Sequence, residues 1–250
     1  MRRSEGVFVV EGVKLLAGAL RVGAPVEAVF VDAAARRDRA LSPVLDEASG
    51  RGTRIFELAP GVIERVADTV TPQPVLAVVG MPARSLDELG AATFVVVCVD
   101  VRDPGNAGAV IRVADAAGAD AVVCCEGTVD PFNPKTVRAS AGSVLQVPLV
   151  VGDDAPGALD ALGRMGLRRV AASTRGGTPY AEVDLAAPLA LVFGNEASGL
   201  PSELEDRLDA RVTIQMLGGA ESLNVSTAAA VLCFDVARRR SNLHAMDEGR

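Results

Sequence analysis

The sequence predicts an α/β protein in which a smaller α/β unit precedes a larger unit built around a parallel sheet. Three observations carry this. Short β-branched runs alternate with helical segments along the chain. From Thr93 onward the strand runs become apolar on both faces, the pattern of a parallel sheet covered on either side. A hydrophobic fraction of 49% over 250 residues supplies apolar surface for sizeable cores.

In the first part the runs 7–10, 13–20, 28–31, 42–49, 54–58, 60–66 and 76–79 alternate between β-branched stretches and amphipathic or alanine-rich ones. They predict a domain over residues 1–80. Met81 to Glu88 contains Pro82 and lacks strand or strong helix periodicity, so 81–91 reads as a linker. A second domain is expected over 92–250, with strands at 94–99, 121–125, 147–151, 170–173 and 189–193. Ligands of such sheets bind beyond the carboxyl ends of the strands, which directs attention to the loops after Val99, Phe193 and Thr213.

Composition removes several classes of function. The longest apolar run, 91–99, falls far short of the roughly 20 residues needed to cross a bilayer. Glu5 and Glu11 interrupt any secretory apolar region, so a cytoplasmic protein without a membrane partner is expected. A net charge of −7 excludes a chain that coats nucleic acid by bulk charge, while leaving a local patch open. Only Lys14 and Lys135 are lysines, so the basic surface is almost all arginine. Cys98, Cys124, Cys125 and Cys233 lie in apolar stretches without the spacing of zinc ligands; they read as small buried hydrophobes, and no metal is expected. The single histidine, His244, stands in a polar tail, so any general base must be another group.

Three loops carry the chemistry. In the first, Asp100 to Gly108 enter a helix whose apolar positions include Ala107, Val110, Ile111 and Ala114. Asn106 is expected to cap it. Arg112 lies off the apolar stripe and leans toward Gly108, whose missing side chain would leave room for a substrate beside the guanidinium. A capped helix with a solvated arginine accounts for the same residues. In the second, Gly194 to Pro201 leave a buried strand: the glycines permit close backbone approach, and Asn195, Glu196 and Ser198 offer polar groups. A turn before a helix near Pro201 is the alternative. In the third, Ser222, Asn224 and Ser226 crowd a helix start, more polar residues than one cap requires. Arg238 to Arg240 suit either the helix dipole or RNA phosphates.

In this order, Asp103 to Arg112, Leu191 to Leu200 and Ile214 to Ser226 resemble the three motifs of the SpoU/TrmH family (SPOUT class) of RNA ribose 2′-O-methyltransferases. Val129 to Gly142 looks similar to the family as well, while Gly6 to Gly12 and Ala67 to Gln73 resemble its ribosomal-protein-like substrate-binding domain. The resemblance implies a trefoil knot near the C-terminus, S-adenosylmethionine as methyl donor, and a homodimer whose site is completed across the interface. It implies a catalytic set of Asn106, Arg112, Glu196, Ser222 and Asn224. Gly194, Asn195, Gly199, Ile214, Met216, Leu217, Leu223 and Asn224 would hold the cofactor, and Arg112, Lys135 and Arg138 the RNA. Family proposals make Arg112 the base, but a guanidinium stays protonated and accepts nothing, so phosphate binding and ribose orientation suit it better. The N-terminal domain favours ribosomal RNA over tRNA as substrate. Relatives commonly carry a basic segment before the Gly6 element, where only residues 1–5 stand here; the expectation is a start further upstream or a member lacking that RNA contact. A nicotinamide oxidoreductase is the first rival, but Gly105-Asn106-Ala107-Gly108 lacks the required glycine spacing. A non-catalytic RNA-binding relative is the second, and S-adenosylmethionine binding discriminates against it.

Overall fold

The computed structural model describes residues 5–67 and 71–247, with side chains to residue 242. Residues 1–4, Asp68 to Val70 within the N-terminal resemblance, and the side chain of His244 lie outside the described residues.

The first sheet contains β1 (Val7–Glu11), β2 (Val26–Asp32), β3 (Arg54–Leu58) and β4 (Val75–Gly80), in the order β1-β4-β2-β3. β2 and β3 run parallel, as the crossover through α2 (Ser42–Gly50) requires, while β4 is antiparallel to β1 and β2. Alternate residues Phe8, Val10, Val29, Val31, Val75, Ala77 and Val79 turn to one face and pack with Leu16, Ala19 and Leu20 of α1 (Val13–Arg21) and Leu45 and Ala48 of α2. The short α3 (Val62–Val66) follows β3.

The second sheet is parallel throughout, in the order β10-β12-β9-β11-β6-β7-β8-β5. Its strands are β5 (Ala83–Arg84), β6 (Phe94–Cys98), β7 (Ala121–Cys124), β8 (Leu149–Val151), β9 (Arg168–Ala172), β10 (Thr178–Pro179), β11 (Leu189–Phe193) and β12 (Ala210–Thr213). The helices are α4 (Pro104–Ala116), α5 (Pro134–Ala139), α6 (Ala155–Arg164) and α7 (Val225–Asp247). The unbroken apolar run of β6 serves two cores. Phe94, Val96 and Cys98 join the core formed with α4 and α7, whereas Val95 and Val97 join the one beneath α6. The first core is continuous with that of the N-terminal sheet, and Phe8 of β1 meets Phe132 with ring centroids 5.0 Å apart.

The segment 81–91, expected without regular structure, contains β5, paired with β8, and a 3₁₀ turn at Leu86–Leu89 closed by a Ser85/Glu88 capping box. The four cysteines are buried and free, and burial pushes the Cys125 and Cys233 thiols up to about 12, which makes them inert. Among the described residues no helix is long and apolar enough to cross a membrane, and no cluster of His, Cys, Asp or Glu is arranged to hold a metal.

The arginines of α7 correct an expectation. Arg239 donates to the carbonyls of Tyr180, Ala181 and Val183, and Arg240 to Thr93 Oγ1 and the carbonyls of Thr93 and Ala187. The helix runs on to Asp247, so these side chains neither end it nor stay available to phosphates. They pin α7 to the loops preceding β6 and β11. Arg238 pairs with Asp235.

Candidate active site

The pairing of Cys98 with Phe193 at the ends of β6 and β11 places the first two loops side by side. Asp103, not Asn106, caps α4: its Oδ1 accepts from Asn106 N at 2.8 Å, and Pro104 takes the first helical position. Proline has no N–H to satisfy and its fixed φ suits that position, which sets the cap one residue earlier. The Asn106 side chain, freed from capping, turns to the other loops.

There it meets Glu196. A carboxylate only accepts, so Asn106 presents its NH₂, with Nδ2 to Glu196 Oε1 at 3.0 Å. Its carbonyl is then left to accept from Asn224 Nδ2 at 2.8 Å. The Asn224 carbonyl in turn accepts from Ser226 N at 2.8 Å and Ser226 Oγ at 2.7 Å, capping α7. One polarised chain, Glu196–Asn106–Asn224, thus joins all three loops. Burial alone raises the Glu196 pKa, but donation from Asn106 and from the Glu196, Arg102 and Asp103 backbone outweighs it, and the carboxyl is held below its usual range.

The 194–200 loop is closed by reciprocal Asn195 and Gly199 backbone bonds, each 3.0 Å. Asn195 Oδ1 accepts from Ala197 N and Ser198 N, while its Nδ2 donates to the Asp100 carbonyl at 2.9 Å. Asp100 adopts a left-handed φ of 55° and its carboxylate also binds Arg102 Nε at 2.8 Å. Nothing in sequence spacing singled out Asp100 or Arg102. Gly194 is required by close approach: a Cβ there would lie 2.5 Å from the Gly199 carbonyl carbon.

A cavity of about 300 Å³ opens at the carboxyl ends of β9, β11 and β12 and under the start of α7. Of the residues expected at the cofactor, Gly194, Asn195, Gly199, Ile214, Met216 and Leu223 line it, together with Glu196 and Ser222 of the catalytic set. Leu217 does not: it is 97% exposed and points to solvent. Asn224 stands beside the cavity through its bond to Asn106 and does not line it. Thr174, Arg175, Glu205, Arg211 and Glu221 also line it and were missed. The end of the strand near 173 was the available signal for the first two. The Arg211–Glu205 ion pair lies six residues apart on a turn and strand and leaves no periodic mark.

Arg112 lies outside this cavity, exposed, with no hydrogen bond or ion pair among the described residues. Gly108 leaves no room for substrate beside it. A Cβ there would stand 2.5 Å from Ala139 Cβ and 2.5 Å from the Thr136 carbonyl, so the missing side chain admits α5, not a ligand. Lys135, exposed in the first turn of α5 beyond the Asn133 cap, and the half-buried Arg138 belong to the same two-helix unit as Arg112.

A parallel sheet covered on both faces, with a polar-mouthed cavity at its carboxyl edge, defines an α/β protein of the class that binds its ligand beyond the strand ends. Residues 93–234 match the family described as SpoU rRNA Methylase, and residues 1–77 match the MRM3-like substrate binding domain. The chain is 36% identical to the 23S rRNA (guanosine(2553)-2′-O)-methyltransferase RlmP of Bacillus subtilis, over 93% of this chain and 89% of that protein. It is 30% identical to a 23S rRNA (uridine(2479)-2′-O)-methyltransferase of Streptomyces viridochromogenes, over 96% and 85%. The crystal structure of the SpoU methyltransferase AviRb from Streptomyces viridochromogenes with AdoMet superposes with a TM-score of 0.85 at 28% identity, covering 96% of this chain and 93% of that one. The chain belongs to the SpoU rRNA Methylase family.

Proposed function

We propose that this protein transfers a methyl group from S-adenosylmethionine to a ribose 2′-hydroxyl of 23S ribosomal RNA in the cytoplasm. The observation that carries the proposal is the Glu196–Asn106–Asn224 chain, which draws three loops around one cavity. Both relatives named above act on 23S rRNA, and at different bases, so the target nucleotide is what the experiment must find. Residues 1–80 would bind the RNA, 81–91 would link while adding β5 to the second sheet, and 92–250 would form a trefoil-knotted methyltransferase domain.

The cavity's residues fit the donor. S-adenosylmethionine carries a carboxylate, an ammonium and a sulfonium, and the lining includes Arg175 and Glu221 besides the Arg211–Glu205 ion pair. Gly194 lets the 194–200 loop close on its own beginning, and that closed loop forms one wall of the cavity. Bound there, the sulfonium supplies an activated methyl for in-line displacement, and the protein's task is to align the 2′-oxygen and help remove its proton. Glu196 is a poor base, because its pKa is lowered and its oxygens already accept from Asn106, Arg102 and Asp103. It orients Asn106 instead.

Arg112 reaches the site in this reading from a second copy, since its own chain's cavity lacks it. Co-assembled Arg112→Ala and Asn106→Ala chains then regain activity, because one of the two sites receives both residues. No regain means the sites are not shared. For the function itself, ribose methylation of 23S rRNA is mapped by mass spectrometry with and without the gene. One nucleotide is expected to lose its methyl; unchanged methylation of every RNA would sink the proposal.

A further inference from the structure

The first sheet has a second face, turned away from α1 and α2. Strand register places Phe30 beside Phe56 and Ala28 beside Arg54, with Leu76 and Val78 of β4 next to them. Phe30 and Phe56 stack with centroids 5.3 Å apart and planes 18° apart. Phe56 stays 42% exposed on β3, an edge strand. The Arg54 guanidinium stands over the same ring, 5.9 Å from its centroid.

That separation matters. At the outer edge of a cation–π contact, about 6 Å, the exposed guanidinium rests only loosely on the ring. A planar group between them needs about 7 Å between the two planes, which an exposed arginine on a flexible stem reaches by swinging outward. Arg54 and Phe56 are two residues apart on one strand face, about 6.6 Å along the backbone, so the strand itself sets a spacing of this size. Ala28, small and buried, lies beside Arg54 and keeps the floor of the gap low. Nucleobases stack on aromatic rings and on arginine planes whatever their sequence. At the other end of the same strands Arg37 and Arg39 are exposed and have no ion pair or hydrogen bond among the described residues, which suits a passing phosphate backbone.

We propose that Arg54 and Phe56 form a nucleobase slot that holds one unpaired base of the RNA substrate. The occupant's identity rests on the reading of the protein as an RNA enzyme. A duplex does not enter, because its bases are already stacked on one another.

The chain contains no tryptophan, so Phe56→Trp creates a single reporter in the full-length protein. A short unstructured single-stranded RNA is expected to quench its emission, and the same sequence as a duplex is not. Phe56→Leu and Arg54→Ala should each weaken binding of that single strand roughly 5- to 150-fold and raise KM for methylation. S-adenosylmethionine affinity stays unchanged, and Phe56→Trp retains binding. The slot is refuted if saturating single-stranded RNA leaves the tryptophan unquenched, or if Phe56→Leu binds within about twofold of the parent. A tryptophan spectrum that changes with protein concentration alone also refutes it, assigning the face to self-association. Quenching needs no turnover, so it decides the slot even where failure to methylate any RNA has removed the proposed activity.

Discussion

Gly194→Ala tests whether the cavity depends on the close approach of the 194–200 loop to its own beginning. The added methyl would lie 2.5 Å from Gly199 C, 2.6 Å from Gly199 O and 2.7 Å from Leu200 N. Ordinary contact requires about 1 Å more. All three atoms are backbone, fixed by the two Asn195–Gly199 bonds and by Asn195 Oδ1, so no side chain can swing aside. The loop must open. Loss of two backbone bonds costs about 0.5–1.5 kcal/mol each, and overpacking adds about 1–3 kcal/mol. Together these reach about 2–6 kcal/mol, borne by a loop that lines the cavity, so S-adenosylmethionine affinity is expected to fall at least about 30-fold. Isothermal titration measures it, with differential scanning calorimetry to show the chain still folds. Gly218→Ala is the control, since nothing lies within 4 Å of its added methyl. Binding by Gly194→Ala within about threefold of the parent would refute the reasoning.

Three further outcomes are expected. Asp103→Ala should destabilise the fold by about 0.5–2 kcal/mol in denaturant unfolding through loss of the α4 cap, while Asn106→Ala should spare that cap and remove activity; the reverse pattern would restore Asn106 as the cap. The Glu196 pKa is depressed below its ordinary 4.5, so the charged group stabilises the folded state above that pH and the contribution is lost as pH falls through the folded value. The thermal-midpoint gap between the parent and Glu196→Gln should therefore narrow from about pH 6 to about pH 3, and a constant gap contradicts the assignment. Arg240→Ala should lower the midpoint by removing bonds to Thr93 and Ala187, with Arg240→Lys failing to rescue; lost RNA affinity at an unchanged midpoint would mark it as a phosphate contact instead.

Burial pattern made most of the fold legible. The β-branched runs at 7–10 and 76–79 announced strands, but, apolar throughout, they did not show that one face alone is buried; the unbroken run at 94–99 announced a sheet covered on both sides, and β6 divides its residues between two cores. β5 and β10 are two residues long, and no periodicity exists over two residues. The capping error at Asn106 was avoidable, because Pro104 already pointed to Asp103. Arg239 and Arg240 were not readable: their carbonyl partners lie more than fifty residues away, and local sequence does not reveal which loops approach a helix.

Each loop offers a choice between a structural role and a chemical one, and in the third loop that choice dissolves. Asn224 caps α7 with its carbonyl and holds Asn106 with its NH₂, so the cap fixes the orientation of the site. Asn106 must donate to a carboxylate and accept from an amide at once. Aspartate at 106 would lack the donor and set a second negative charge against Glu196; serine has one hydroxyl and too short a reach for both partners. The residue type at 106 is therefore dictated by two groups 90 and 118 positions further along the chain, which is why that loop was unconvincing when read alone.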